Sequence, residues 1–206
     1  MLKRVLSFLA GMIFVSLGIV LCKKCSMGIS PVSSIPYVLS LALPLTFGRF
    51  TMLFHFVNTI GQMILQKKVT VKLALQFLLS FGFSFTIDLL DGWIRIDSSL
   101  LLWCTVSLLL SIFFTALGMV IMFRADLVQN PVDGFVKQVA EMTKRPVGTI
   151  KIYYDCSCVL ISLALSFLFL HQLKGFGIAT IVSAIFVGKC VGWLKKAEAK
   201  LFHSKV

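Results

Sequence analysis

Phe14-Val15-Ser16-Leu17-Gly18 and Phe114-Thr115-Ala116-Leu117-Gly118 are two forms of one pattern, set 100 residues apart in the chain. At the same offset, and without a gap, Pro31 falls on Pro131, Gly48 on Gly148, Gly92 on Gly192 and Trp93 on Trp193. Ser30-Pro31-Val32 answers Asn130-Pro131-Val132 in the same way. Gly, Pro and Trp number only 14, 5 and 3 among 206 residues, so shared hydrophobicity does not account for the matches. The chain reads as an internal duplication, with residues 1–98 as one copy and 99–206 as the other.

Outward from these blocks the sequence is a series of long apolar runs. Hydrophobic residues make up 58% of the chain and charged residues 14%, a balance that no water-soluble domain shows. A hydrocarbon core of roughly 30 Å needs about 20 apolar residues per helix. Runs of that kind predict spans at 5–22, 46–66, 71–93, 100–123, 149–170 and 175–194. The expected fold is an all-α, polytopic transmembrane bundle of about six spans with no soluble domain. Three spans per copy is an odd number, so the second copy enters the membrane from the opposite side, and the two become inverted repeats. That architecture recurs in secondary transporters. The first run follows Lys3-Arg4 as a signal peptide would, but Lys23-Lys24-Cys25 stands where a small-residue cleavage site belongs. It reads as a retained helix.

Two segments, 23–45 and 124–148, lie between the expected spans. The stretch from Asn130 to Lys144 is too polar to span, yet its apolar residues recur at helical spacing, which predicts a short amphipathic helix that is either interfacial or re-entrant. Asn130 fits its N-cap, Pro131 its first position and Asp133 its third, where a negative charge meets the positive end of the helix dipole. Ser30 and Pro31 open the equivalent helix in the first copy. On opposite membrane faces, two such N-termini directed inward would hold an anionic group. The plainer alternative makes both of them ordinary helix starts in connecting loops.

The net charge of +12 arises from 20 Lys and Arg residues that sit at the ends of apolar runs, where lipid headgroups lie. Nucleic acid is not an expected partner. With the N-terminus inside, the inner segments collect Lys3, Arg4, Lys67, Lys68, Lys72, Arg124, Lys137, Lys144, Arg145, Lys151, Lys195, Lys196, Lys200 and Lys205, whereas the outer ones hold only Lys23, Lys24, Arg49, Arg95 and Lys174. Both termini are therefore expected to be cytoplasmic.

Six cysteines, four of them in apolar segments, give no disulfide framework. Cys22-x-x-Cys25 and Cys156-Ser157-Cys158 are close pairs, but neither has the second pair or His cluster of a zinc site, so no metal is expected. Gly188-Lys189-Cys190 lacks the upstream Gly and the Ser or Thr of a phosphate-binding loop. Gly-x-Ser-x-Gly and His-Glu-x-x-His are also missing, and three histidines leave little room for a triad. Neither enzyme activity nor a cofactor is expected.

Span two sets Met52, His55, Asn58 or Thr59, Gln62 and Gln66 along one face, and span five answers with Asp155, Cys158, Ser162 and Ser166. His55 and Asp155 are equivalent in the repeat. A charge near mid-membrane costs about 2.5–3.5 kcal/mol on insertion scales, so an ionisable group there faces a cavity or a partner. Asp155, His55, Asn58 and Gln62 are the candidates for a proton or solute pathway. The competing reading for His55, Asn58 and Gln62 is hydrogen bonding between helices, which contributes roughly 0.6 kcal/mol per contact. Asp155 must either take up a proton or have a cationic partner. Asp88, Asp91 and Lys189, near span ends, read as snorkelling residues, and Trp93 and Trp193 as interfacial anchors.

The two Gly-x12-Pro blocks, Asn130-Pro131-Val132-Asp133-Gly134 and the Lys174-Gly175-Phe176-Gly177-Ile178-Ala179-Thr180 turn together resemble the YczE/YyaS/YitT family of bacterial membrane proteins. In that family a Gly-Pro-x-Asp-like block precedes an acidic residue in the next helix, and a glycine-rich turn ending in Thr opens the last one. Pro131, Asp133, Asp155, Gly175, Gly177 and Thr180 occupy those places. Lys174 stands where the family often has Gly, and Ala179 replaces the second Gly of the turn, which weakens the expectation of close backbone approach. The resemblance implies a bacterial cytoplasmic membrane location and no agreed activity. Two functions fit: a transporter or permease for a small solute, or an accessory, regulatory or substrate-binding subunit of a larger importer. The partners expected are the lipid bilayer, a small-molecule substrate, and either further copies of the chain or a membrane or ATPase subunit.

Overall fold

A computed structural model describes residues 2–96 and 100–203 and consists of eight helices: α1 (Leu2–Lys24), α2 (Pro31–Ala42), α3 (Phe47–Gln66), α4 (Val71–Trp93), α5 (Leu101–Ala125), α6 (Pro131–Thr143), α7 (Val147–Leu170) and α8 (Ile178–His203). The expected boundary between copies at 98–99 and the tail residue Lys205 lie outside the described residues. A chain this apolar satisfies its backbone internally by forming helices, since lipid supplies no hydrogen-bond partner.

Among the described residues five helices, α1, α4, α5, α7 and Ile178–Ala197 of α8, are long and apolar enough to cross a membrane. Large apolar side chains cover outer faces: Leu78, Phe85, Leu109, Leu160 and Phe167 are all exposed. Water would penalise such a surface and lipid would not. The chain is a membrane protein built as a helical bundle.

α3 coincides with the run expected at 46–66 but is not among the five apolar helices, because it carries His55, Asn58, Thr59 and Gln62, all buried, and Arg49 near its start. The last helix begins at Ile178, not at 175. Gly175, in the left-handed region at φ +85°, belongs to the turn before it.

Both short helices start at their proline. The Asn130 carboxamide oxygen accepts the Val132 N–H at 3.1 Å, the Pro131 ring begins the helix and Asp133 lies in the first turn. Val132, Val136 and Ala140, four residues apart, form the buried face of α6, and the latter two pack with Ile150, Val139 and Tyr154. Lys137 and Glu141 are exposed. Lys144 ends the helix in a left-handed conformation, its N–H bonded to Ala140 and Glu141 carbonyls.

The chain divides into two compact units, each drawing on both halves of the sequence. The first contains α1, α5 and α8 with the end of α4 from Leu90. There α1 and α5 run antiparallel in close contact. A Cβ on Gly18 would lie 2.7 Å from the Ser111 carbonyl oxygen and would strike Thr115, and one on Gly118 would lie 2.5 Å from the Gly11 carbonyl and strike Val15. Between these crossings Phe14 and Phe114 stack with centroids 5.8 Å apart. At the offset of 100, Gly18 against Ser111 and Thr115 maps onto Gly118 against Gly11 and Val15, so the helix pair has local two-fold symmetry. Asp91, expected to snorkel, instead pairs with Lys23 at 2.6 Å and Lys24 at 3.1 Å.

The second unit contains α2, α3, α6 and α7, with α4 as far as Leu89. α2 packs on α7 and α3, and α6 packs on α3 and α7. Asp88, also expected to snorkel, caps α3 from a neighbouring helix, accepting from Thr46 Oγ1 at 2.6 Å and from the Gly48 N–H at 2.8 Å. A Cβ on Gly48 would collide with the Ser84 carbonyl, so the glycine is what permits this approach.

Candidate functional site

The polar stripe on α3 faces into the second unit. Gln62 is its centre. Its Nε2 donates to the Pro131 carbonyl at 2.9 Å and to Gln76 Oε1, on α4, at 3.0 Å, while Gln76 Nε2 donates back to Gln62 Oε1 at 3.4 Å. Thr59 Oγ1 reaches Gln76 Oε1 at 3.2 Å, and Ser80 Oγ donates to the Gln76 carbonyl at 2.7 Å. Gly134 on α6 makes room for this group, because a Cβ there would fall 2.5 Å from Gln62 Oε1. Three helices thus meet at a pair of buried amides.

One turn before Gln62, Asn58 turns toward α7. Its Oδ1 accepts from the Tyr154 hydroxyl at 2.7 Å and its Nδ2 donates to the Phe54 carbonyl at 2.8 Å, which engages both ends of the carboxamide. One turn earlier again, His55 is buried with its ring edge-on to Phe83, centroids 5.5 Å apart. Its Nδ1 has no hydrogen-bond partner among the described residues. An orphaned buried donor or acceptor costs about 1–3 kcal/mol, so this atom stands out among groups that are otherwise paired.

Of the two outcomes open to it, a proton or a cationic partner, Asp155 has the partner. Lys151, one turn before it on α7, holds the carboxylate at 2.8 Å, and both side chains are partly exposed. The Lys151 ammonium also lies 5.7 Å from the Tyr154 ring centroid, and that ring packs on Phe135 of α6 with centroids 5.9 Å apart. Asp133, in the first turn of α6, belongs to the same neighbourhood. Burial pushes its carboxyl above the ordinary range, Lys151 draws it back and Asp155 adds to the rise. Two carboxylates, one ammonium, a phenol and a carboxamide therefore converge from α6, α7 and α3.

The four pathway candidates fall into three settings. Gln62 belongs to the amide cluster, Asn58 and Asp155 to the Tyr154–Lys151 cluster, and His55 to an aromatic contact. Cys158, Ser162 and Ser166, the rest of the expected stripe on α7, are buried but otherwise engaged: Cys158 offers its carbonyl to Ser34 Oγ at 3.4 Å, and Ser166 accepts the Lys174 N–H at 2.9 Å. Lys151 and Tyr154 escaped notice in the sequence as site residues. The signal for Lys151 was its place four residues before Asp155.

The Lys174–Thr180 turn serves both units. In the second, a Cβ on Gly175 would lie 2.9 Å from Val38 Cγ2. In the first, Thr180 Oγ1 accepts the Gly177 N–H at 3.2 Å and opens α8. Gly177 lies against the Met27 carbonyl, and Ala179 donates its N–H to that same carbonyl at 3.0 Å. Close backbone approach occurs here in spite of Lys174 and Ala179, because Gly177 and Gly28 supply the missing bulk-free positions. Among the described residues no group of three or more His, Cys, Asp or Glu side chains is placed to hold a metal ion.

These features define a helical membrane protein with its polar side chains gathered inside. A family model described as a family of unknown function, DUF6198, matches residues 2–196, and the chain belongs to that family. No curated protein and no solved structure matches it.

Proposed function

We propose that this protein is a carrier for a small polar solute, built from two inverted copies of three spans and one short helix, with α3 as the sixth span. The observation that carries the reading is the cluster around Tyr154: Asn58, Lys151, Asp155 and Asp133 gather in a chain whose outer faces are apolar. Ionisable groups placed within a membrane bundle at a cost of several kcal/mol are expected where an ion or solute passes. Asp155 and Asp133 are the proton acceptors, Lys151 balances one negative charge, and His55 Nδ1 offers an unpaired buried group to the solute. The two-fold contacts of α1 with α5, and the matched packing of α2 and α6, support the inverted repeat. The resemblance to the YczE/YyaS/YitT family implies a bacterial cytoplasmic membrane, and the distribution of Lys and Arg argues for both termini inside.

The test is to reconstitute the purified protein in proteoliposomes and assay solute uptake under an imposed pH gradient, after thermal-shift screening against a metabolite panel has named a ligand class. Uptake by the protein alone that fails in Asp155→Asn supports a proton-coupled carrier. Stable co-purification of an ATPase or enzyme subunit, with no flux by the isolated chain, would replace it with the accessory reading.

A further inference from the structure

Cys22 closes the last turn of α1, and Cys25 follows immediately after it. The chain then reverses through Ser26 at φ +55° and Gly28 at φ +107°, which carries the Gly28 carbonyl back over both sulfurs, 3.8 Å from Cys22 Sγ and 4.0 Å from Cys25 Sγ. Cys25 Sγ also lies 2.9 Å from the Cys22 carbonyl oxygen. The reversal is clamped from outside: Ala179 donates to the Met27 carbonyl at 3.0 Å, and a Cβ on Gly28 would fall 2.6 Å from the Gly177 nitrogen. Neither residue is in a disulfide, and both are buried beneath a turn whose tip, Ser26, is exposed.

We propose that Cys22 and Cys25 form a redox-active dithiol, oxidised to an intramolecular disulfide by a low-molecular-weight disulfide. Residues three apart at a helix end are neighbours on one face, and the Gly28 carbonyl oxygen lies within 4.0 Å of both sulfurs, which is the kind of proximity a disulfide requires. No other pair is set this way among the described residues, since Cys156 and Cys158, two apart on α7, are exposed and buried respectively. The attacking group is Cys25. The hydrogen bond from Cys22 lowers its pKa to about 7, against the upward push of burial, which makes it the readier of the two to ionise. Lys23 and Lys24, paired with Asp91, are the charged groups beside it.

Local opening of the 25–29 turn admits the reagent. Cys25 thiolate attacks one sulfur of the oxidant and expels the first thiolate, which takes a proton from solvent. Cys22 then loses its proton and attacks Cys25 Sγ, and the second thiol departs. Two electrons and two protons pass to the oxidant, giving one protein disulfide and two small thiols.

The full-length protein in detergent is treated with glutathione disulfide, alkylated with iodoacetamide, and digested with trypsin. Cleavage after Lys23 and Lys24 separates the two cysteines, so a linked pair of peptides, 5–23 with 25–49, two hydrogens lighter than the sum of its parts, is the expected product. In Cys22→Ser the expected product is glutathione held on Cys25. Both cysteines carrying the alkyl group after oxidant treatment of the wild-type chain would overturn the proposal, as would a link formed instead with Cys156 or Cys158. The wild-type peptide map decides without any variant having to fold.

Discussion

Phe14 and Phe114 stack face to face, their rings 4° from parallel and their centroids 5.8 Å apart, and they match each other at the sequence offset of 100. Reciprocal contacts flank this stack on either side. Gly18 and Gly118 supply them, each buried against the small side chains and backbone of the opposite helix. Small residues that let backbones approach are the usual means of packing helices in lipid, where no hydrophobic force drives them together.

Substitution at these glycines is expected to be damaging to a similar degree at both sites. Gly18→Ala and Gly118→Ala each force a Cβ into backbone atoms, so a loss of about 1–3 kcal/mol is expected from overpacking. Gly92→Ala and Gly148→Ala meet nothing within 4 Å, and a change from neutral to a gain of about 1 kcal/mol from helix propensity is expected. Thermal unfolding of the four variants in detergent distinguishes the two pairs, and equal tolerance at all four would remove the tight crossing.

The reciprocal amides of Gln62 and Gln76 predict strong non-additivity. Gln62→Leu leaves Gln76 Nε2 without its acceptor, and Gln76→Leu leaves Gln62 Oε1 without its donor, at about 1–3 kcal/mol each. The double variant should recover part of that loss, because neither partner is then left unpaired. A double-mutant cycle on unfolding free energy checks it, and additive losses would show that the two amides do not depend on each other.

Asp155 and Lys151 allow structural and functional roles to be separated. As a partly exposed i,i+4 pair they contribute only about 0.3–0.5 kcal/mol, so Asp155→Asn should leave the melting temperature nearly unchanged. Loss of solute uptake in that variant then reports on mechanism and not on folding. Unchanged uptake would remove Asp155 from the pathway.

Asp133 gives a signed pH dependence. Its carboxyl is raised by burial, so the folded state favours the protonated form more than the unfolded state does. The contribution is fully present below the ordinary carboxylate range and is lost as pH rises through the folded value. Asp133→Asn should therefore be more stable than the wild type at neutral pH, with the two converging in acid. A stability difference that grows on acidification would contradict the assignment.

Tyr154→Phe removes the donor to Asn58 Oδ1 and leaves a buried acceptor unpaired, for a loss of about 1–3 kcal/mol. Asn58→Leu in the same background should recover part of it in a thermal melt, and a further loss of the size seen for Asn58→Leu alone would argue that the two side chains act separately.

Much of this molecule was legible in its residues. Apolar runs announced the helices because a backbone in lipid must bond to itself, and Asn130-Pro131 announced the start of α6 because the cap and the ring act locally. The amphipathic character of α6 followed from the spacing of Val132, Val136 and Ala140. Partners were less accessible. Asp88 and Asp91 read as snorkelling groups, yet one caps α3 and the other binds two lysines from α1. Gln76 carried no signal at all, since it acquires its role only by facing Gln62.

The sequence by itself determined that this chain is helical and membrane-embedded, where its short helices begin, and which residues repeat at an offset of 100, because each depends on composition or on neighbours within a turn. Only the tertiary structure decided that Gln62 meets Gln76, that Tyr154 binds Asn58 and that Cys22 and Cys25 share one carbonyl. Helical periodicity tells which residues share a face, but which face opposes which depends on the rotation and register of helices far apart in the chain.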